Sequence, residues 1–213
     1  MALDWEPLAT PKRGYEREFV ELFHALVKAT GARRERVMRW FTNISDPPFT
    51  TLGAPRIGHD AAADDWLRAR LEKTGRIAEL PRLAIEMHGD HVLELLPPSD
   101  GFPVYSDHLA SDYLDRYSFH AELLADHRDA LGEELWQRGH QMMLPDDHKA
   151  FAEQLFDVAI RFADEHALPS EVETIREPVF PEGTVERSGH ILFAAAKWCW
   201  YWSERGYGLA VSY

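Results

Sequence analysis

The sequence predicts an α+β fold, a mostly antiparallel sheet packed with several amphipathic helices. Some segments repeat apolar residues every three or four positions, whereas others alternate apolar and polar residues. The two kinds follow one another without the regular βαβ order of a parallel sheet. The chain has 213 residues, of which 45% are hydrophobic and 28% charged, and shows no obvious interdomain linker. We therefore expect residues 1–213 to form a single domain.

Two amphipathic helices are predicted in the first 80 residues. Residues 15–30 carry the first, and Gly31 follows as a residue that favours helix C-termini. Residues 60–74 carry the second, with Asp60 as its N-cap. Residues 36–43 lie between them in a run too short to separate the two periods, so helix and strand both remain open there.

Strands are predicted mainly in the middle of the chain. Residues 83–96 alternate apolar and polar side chains on both sides of Gly89 and Asp90, a pattern typical of a β-hairpin. Residues 107–129 fit both helical spacing and strand alternation. We predict a short helix there, followed by a strand over residues 117–124.

The remaining chain predicts three helices and two strands. Helices are expected over residues 129–137, 149–166 and 185–204, an edge strand over residues 172–179, and a terminal strand over residues 207–213. The last helix is almost wholly apolar in its second half, so the rest of the fold should surround it.

Three tryptophans alternate near the end of that last helix. Trp198, Trp200 and Trp202 point in different directions on a helix, so at least one is predicted to be partly exposed. Cys199, the single cysteine, lies in the same apolar stretch and is interpreted as an inert buried thiol.

The net charge of −13 is unevenly distributed along the chain. Residues 1–80 hold 13 Lys and Arg against 12 Asp and Glu, whereas residues 81–213 hold 10 against 24. Such a field repels nucleic acid and anionic lipid and attracts a basic protein. We therefore predict a basic protein partner, with no nucleic-acid or membrane partner. The one basic cluster, Arg33, Arg34, Arg36 and Arg39, is interpreted as a helix end or an internal ion-pair partner.

The location expected from the sequence is cytoplasmic. Residues 1–6 lack the basic and apolar regions of a secretory signal, and no apolar run approaches the roughly 18 residues of a membrane span.

Two histidine clusters suggest an alternative function as a hydrolase. His88 and His91 flank the predicted turn near Glu86, and these side-chain types suit zinc or a related ion. His108 and Asp112 would share a helix face and could act as a general base with its orienting carboxylate. No nucleophile elbow, glycine-rich phosphate loop or His-Glu-x-x-His sequence accompanies them, so the prediction is no metal, no cofactor and no catalytic residue.

The predicted partner-binding face lies within residues 107–147, where ten carboxylates outnumber three arginines. Acidic side chains gathered on one surface would steer a cationic partner into contact. The candidate residues are Asp107, Asp112, Asp115, Asp126, Asp129, Glu133 and Asp147.

The chain resembles the immunity proteins of bacterial polymorphic toxins in being acidic, rich in tryptophan and free of an evident active site. Residues 39–45, Arg-Trp-Phe-Thr-Asn-Ile-Ser after the first helix, are similar to members of that group, as is a later hairpin. The resemblance implies a stoichiometric inhibitor of a basic, nuclease-type toxin and supplies no catalytic residues.

Overall fold

The computed structural model describes residues 3–46, 53–95, 118–175 and 180–212. The fold is α+β, as predicted, with helices outweighing strands. The helices are α1 Glu16–Lys28, α2 Gly31–Asn43, α3 Ala61–Lys73, α4 Leu80–Glu86, α5 Arg128–Leu131, α6 Glu133–Arg138, α7 Pro145–Glu165, α8 Glu171–Thr174 and α9 Val185–Ser203. The strands are β1 Asp4–Leu8, β2 Thr10–Pro11, β3 Ser45–Asp46, β4 Phe119–His120 and β5 Gly208–Ser212, and short 3-10 helices cover Ile77–Glu79, Leu93–Leu95 and Ala121–His127. No helix among these residues is both long and apolar enough to cross a membrane.

The main sheet joins the two ends of the chain. Strand β1 lies in its centre, between β4 and β5, and both pairings are antiparallel. Trp5 is opposite Phe119 on one side and Val211 on the other. A second antiparallel pair, β2 with β3, leads into and out of the hairpin of α1 and α2. The predicted terminal strand is confirmed as β5, whereas β1 was not predicted.

The largest apolar cluster forms where α7 and α9 pack along one another beneath the sheet. Trp5 inserts from β1 between Phe119, Phe151 and Trp198, with ring centroids 5.4, 5.4 and 6.2 Å away. Its indole Nε1 donates to the Gly139 carbonyl oxygen at 2.7 Å. The sheet and the two long helices are thus joined through one buried aromatic side chain.

Two smaller apolar clusters hold the helical hairpins of the first half. One joins α1 and α2 through Phe19, Phe23 and Phe41 and is completed by Leu8 from β1. The other joins α3 and α4 through Leu67, Leu71 and Leu83. Each hairpin therefore has an apolar seam of its own.

The long periodic segments fold as predicted. Helices α1, α3, α7 and α9 lie where apolar residues recur every three or four positions, and α9 is buried through most of its length. Residues 36–43, open between helix and strand, belong to α2, which begins at Gly31, after the two residues that follow α1.

Trp200 is 36% exposed while Trp198 and Trp202 are buried, which confirms the predicted exposure of at least one tryptophan. Burial raises the pKa of the Cys199 thiol, as expected of an inert cysteine.

The predicted hairpin over residues 83–96 is wrong. Helix α4 occupies its first half and a 3-10 helix its end. The alternation of Leu83, Ile85 and Met87 mimics a strand, but Ile85 is 78% exposed and only Leu83 and Met87, one helical turn apart, are buried. Packing against α3 selects the helical period.

Three further predicted elements need correction. The strand over residues 117–124 is reduced to Phe119–His120, because the chain turns into a 3-10 helix at Ala121. The helix over residues 129–137 is divided into α5 and α6 by Gly132, whose φ of 76° interrupts the helical hydrogen bonds. The edge strand over residues 172–179 begins in helix α8, and residues 176–179 lie outside the described residues.

The packing predicts that Gly208→Ala destabilises the protein more than Gly189→Ala. A Cβ at Gly208 would overlap the carbonyl oxygen of Met143, which is backbone. A Cβ at Gly189, inside α9, would meet the methyl of Leu168, a side chain that can move. Alanine also gains about 1 kcal/mol in helix propensity at Gly189. We expect a loss of about 2 kcal/mol for Gly208→Ala, measured by urea unfolding, and a smaller loss or none for Gly189→Ala. Equal losses would contradict this account.

Candidate acidic binding surface

The outer face of α7 carries four carboxylates in one line. They are separated by seven, four and seven positions, so a helix places them on the same side, opposite the buried residues Phe151 and Leu155. All four side chains are exposed. We call this set, Asp146, Glu153, Asp157 and Asp164, the α7 acidic stripe. Ile160, 50% exposed, lies on the same face between its last two members.

Helices α5 and α6 run beside α7 and extend the acidic surface. Arg161 Nη2 donates to the Ala130 carbonyl oxygen at 3.3 Å, near one end of α7. Towards the other end, Arg138 donates through Nη1 to Gln154 Oε1 and through Nη2 to the Asp147 carbonyl oxygen, both at 2.9 Å. These bonds hold the short helices against the long one.

A cleft of about 460 Å³ lies between α6 and α7. Glu133 and Glu134 approach it from α6, and Asp157 and Arg161 from α7. The apolar side chains of Leu135 and Val158 also line the cleft. The cleft opens onto the α7 acidic stripe through Asp157, which belongs to both.

The carboxylates of this surface differ in whether they are already paired. Glu133 accepts from Arg128 Nε at 2.8 Å and from Gln137 at 2.9 Å, and these hydrogen bonds lower its pKa, that from Arg128 having the larger effect. By contrast, Glu134, Glu153, Asp157 and Asp164 form no ion pair with any residue that the structure describes. These four carboxylates have not been neutralised within the described fold.

A lysine neighbours the N-terminal part of the stripe. Lys149 Nζ donates to Glu204 Oε1 at 2.6 Å and lies 5.1 Å from the ring centroid of Trp200. The bond to Glu204 is the main reason that the pKa of Lys149 is raised, with smaller contributions from Glu153 and Asp146. Lys149 therefore offsets part of the negative field around Asp146 and Glu153.

The predicted partner-binding residues are only partly gathered on this surface. Asp126 and Asp129 are exposed on the 3-10 helix and α5, Glu133 lies at the cleft, and Asp147 is exposed in the first turn of α7. Asp107, Asp112 and Asp115 lie outside the described residues. Prediction missed Glu134, Glu153, Asp157 and Asp164, although the spacing of the last three opposite an apolar stripe was a readable signal.

The structure does not arrange His88, His91 and Glu86 across a hairpin. His88 packs on His59 with ring centroids 4.7 Å apart, and Glu86 pairs with Arg82 at 2.7 Å. His91 Nδ1 lies 3.1 Å from the Ala54 carbonyl oxygen. Within the described ranges, no group of three or more His, Cys, Asp and Glu side chains could hold a metal ion.

A His–Asp pair does occur, between residues that the sequence did not bring together. His108 and Asp112 are outside the described residues, but His120 on β4 hydrogen bonds to Asp4 on β1. Ser212 is opposite Asp4 on the far strand, so about two strand spacings, roughly 10 Å, separate it from His120. That serine is too distant to give its proton to the histidine.

Strand β1 also holds a perturbed carboxyl group beside this pair. Burial, with the negative charge of Asp4 as the second cause, raises the pKa of Glu6, and a hydrogen bond from Ser212 opposes the rise.

The His–Asp pair is explained by the pairing of β1 with β4. The acidic surface of α6 and α7 is therefore the candidate site that the geometry supports best. The chain matches no protein-family model, no curated protein and no solved structure.

Proposed function

We propose that this chain is an acidic binding protein that docks a basic protein partner on the surface formed by α6 and α7. More specifically, the chain would act as an immunity protein that stoichiometrically inhibits a basic, nuclease-type toxin. The observation that carries it is the line of exposed carboxylates Glu153, Asp157 and Asp164, unpaired within the described fold and continuous with a cleft.

Such a surface suits a cationic partner for electrostatic reasons. Because these carboxylates form no ion pair within the described fold, no such pair must break when the partner binds. The cleft is large enough for a lysine or arginine side chain, and Glu134 and Asp157 would accept its hydrogen bonds. Ile160 offers an apolar contact within the charged field. Steering and a small apolar contact thus occur on one face.

A direct test is to co-purify the chain with the product of the gene next to its own. We expect a stable one-to-one complex, and a titration of the toxin activity that ends at one equivalent of this chain. The purified chain should also be analysed for metal. Stoichiometric zinc, manganese or iron, together with no binding of the neighbouring gene product, would instead favour the hydrolase alternative.

Charge reversal on the stripe should slow association with that partner. We predict that Glu153→Lys, Asp157→Lys and Asp164→Lys, combined, lower the association rate constant at least about tenfold near 0.05 M salt and flatten its salt dependence, because long-range steering is lost. Stopped-flow fluorescence measures the rate.

A matched control uses three exposed carboxylates on other helices. Glu35→Lys, Asp65→Lys and Glu72→Lys, combined, change the net charge of −13 by the same six units. We expect a much smaller effect on the rate, because the altered charges lie outside the docking face. Equal slowing by both triple variants would show that only net charge matters and would contradict the proposed surface.

A further inference from the structure

Helix α2 has an exposed basic face in an acidic protein. Arg33, Arg36 and Trp40 follow the spacing i, i+3, i+7, which places them on one side of the helix, and Arg39 lies beside them. We call these four residues the α2 basic stripe. All three arginines are exposed, and Trp40 is 57% exposed.

Of the two interpretations of the basic cluster, a helix end or an internal ion-pair partner, the structure fits the first for Arg33 and Arg34, which lie in the first turn of α2, and does not fit the second. None of Arg33, Arg34, Arg36 and Arg39 forms an ion pair with a carboxylate in the described ranges. Like charges three positions apart repel each other on a helix, and an exposed tryptophan leaves a large apolar surface in water. A partner with anionic groups and an apolar patch would remove both costs.

The α7 acidic stripe has the complementary composition. It presents Glu153, Asp157 and Asp164 around the exposed Ile160, and the α2 basic stripe presents its arginines on the N-terminal side of the exposed Trp40. Residues 33–40 extend about 10 Å along α2 and residues 153–164 about 16 Å along α7, at 1.5 Å per residue. The two stripes can therefore cover one another as crossing helices.

We propose that a second copy of this chain docks its α7 acidic stripe on the α2 basic stripe, so that copies associate head to tail. The two surfaces belong to different elements, so each copy keeps one of each unused and further copies can add. The interface is small, and we expect the association to be weak and reversible.

Net repulsion between copies does not forbid this contact. Each chain carries a charge of −13. At physiological ionic strength, however, exposed charges more than about 8 Å apart are largely screened, so contacts between the stripes outweigh charges elsewhere. At about 1 M salt the screening length falls to about 3 Å, and the attraction between the stripes should be lost as well.

This inference shares the α7 acidic stripe with the proposed function but does not depend on it. A basic partner bound to the stripe would compete with self-association. Self-association can be measured on the purified chain alone, so its failure leaves the partner proposal standing, and a failed partner test leaves self-association untouched.

Sedimentation equilibrium of the full chain tests the proposal, using charge-reversal variants of each stripe. One variant, Arg33→Glu with Arg36→Glu, keeps only the acidic stripe, and the other, Asp157→Arg with Asp164→Arg, keeps only the basic stripe. For the unaltered chain we expect the average mass to rise between about 10 and about 500 μM near 0.15 M salt, and to return to the monomer at about 1 M. Each variant should stay monomeric alone, and an equimolar mixture of the two should associate again.

A control and three results keep the test decisive. Arg13→Glu with Arg68→Glu changes the charge equally at exposed positions elsewhere and should self-associate like the unaltered chain. Thermal unfolding followed by circular dichroism checks that each variant folds. A monomer at every concentration and salt would overturn the proposal, as would self-association unaffected by Arg33→Glu with Arg36→Glu. Quenching of Trp40 fluorescence by a single-stranded oligonucleotide, without self-association, would assign the α2 basic stripe to nucleic acid instead.

Discussion

Trp5→Ala is expected to lower the free energy of unfolding by about 4–5 kcal/mol, because it removes the side chain that joins the sheet to both long helices. Trp5 is 1% exposed, contacts three aromatic rings and hydrogen bonds to Gly139. Alanine would leave a cavity among Phe119, Phe151 and Trp198 and an unpaired carbonyl group at Gly139. The free energy of unfolding of a small domain is only about 5–15 kcal/mol, so we expect Trp5→Ala to have a much lower melting temperature than the unaltered protein.

Two matched variants separate the contributions to this loss, which urea unfolding measures. Trp5→Phe keeps an aromatic ring but cannot donate to Gly139, so its cost should be intermediate. Trp40→Ala removes a tryptophan that is 57% exposed, and in dilute solution it should cost less than about 1 kcal/mol. A loss for Trp5→Ala no larger than that for Trp40→Ala would contradict the central place of Trp5 in the core.

The sequence predicted those elements whose packing follows from a long local pattern. In α7, Phe151, Leu155 and Val158 repeat on one face over a 21-residue helix, and burial of that face requires no knowledge of distant residues. The alternating residues of α4 gave the wrong period because their burial is decided by α3. Strand β1 was missed since its five residues include a proline and its partner β5 comes from the other end of the chain.

The sequence also indicates where the carboxylates of the candidate site lie, but it does not indicate which charged side chains form ion pairs. The spacing of Glu153, Asp157 and Asp164 follows from the same periodicity that predicts α7. Which charges are neutralised depends on the folded chain. Glu133, a predicted binding residue, is paired with Arg128. The arginines of the α2 basic stripe, interpreted as a helix end or as internal ion-pair partners, are exposed and unpaired within the described ranges.

Acidification is expected to destabilise the protein through His148, at the buried start of α7. His148 is fully buried, its Nδ1 lies 3.0 Å from the Tyr207 carbonyl oxygen, and its Nε2 has no hydrogen-bond partner in the described structure. The ring is therefore neutral, with Nδ1–H as the donor to Tyr207. Burial lowers the pKa of His148 from 6.5 to about 4, outweighing the opposing effect of the bond to Tyr207.

The sign of the effect follows from proton binding in the two states. Between pH 6.5 and about 4, the unfolded chain holds a proton on this histidine and the folded chain does not. The contribution of neutral His148 to stability is complete above pH 6.5, decreases as the pH falls, and is lost at about pH 4. The difference in unfolding free energy reaches about 3 kcal/mol across that window, at about 1.4 kcal/mol per pKa unit.

Urea unfolding at several pH values compares the unaltered protein with His148→Phe, which cannot titrate. Carboxylates and other histidines also titrate in this range, so the informative quantity is the difference between the two profiles. We expect the unaltered protein to lose about 2.5 kcal/mol more than His148→Phe between about pH 7.5 and about pH 4.5. The exposed His24→Gln serves as the control and should keep the unaltered slope. Parallel profiles for the unaltered protein and His148→Phe would show that protonation of His148 is not coupled to folding. Such coupling requires that the ring be buried and neutral in the folded protein.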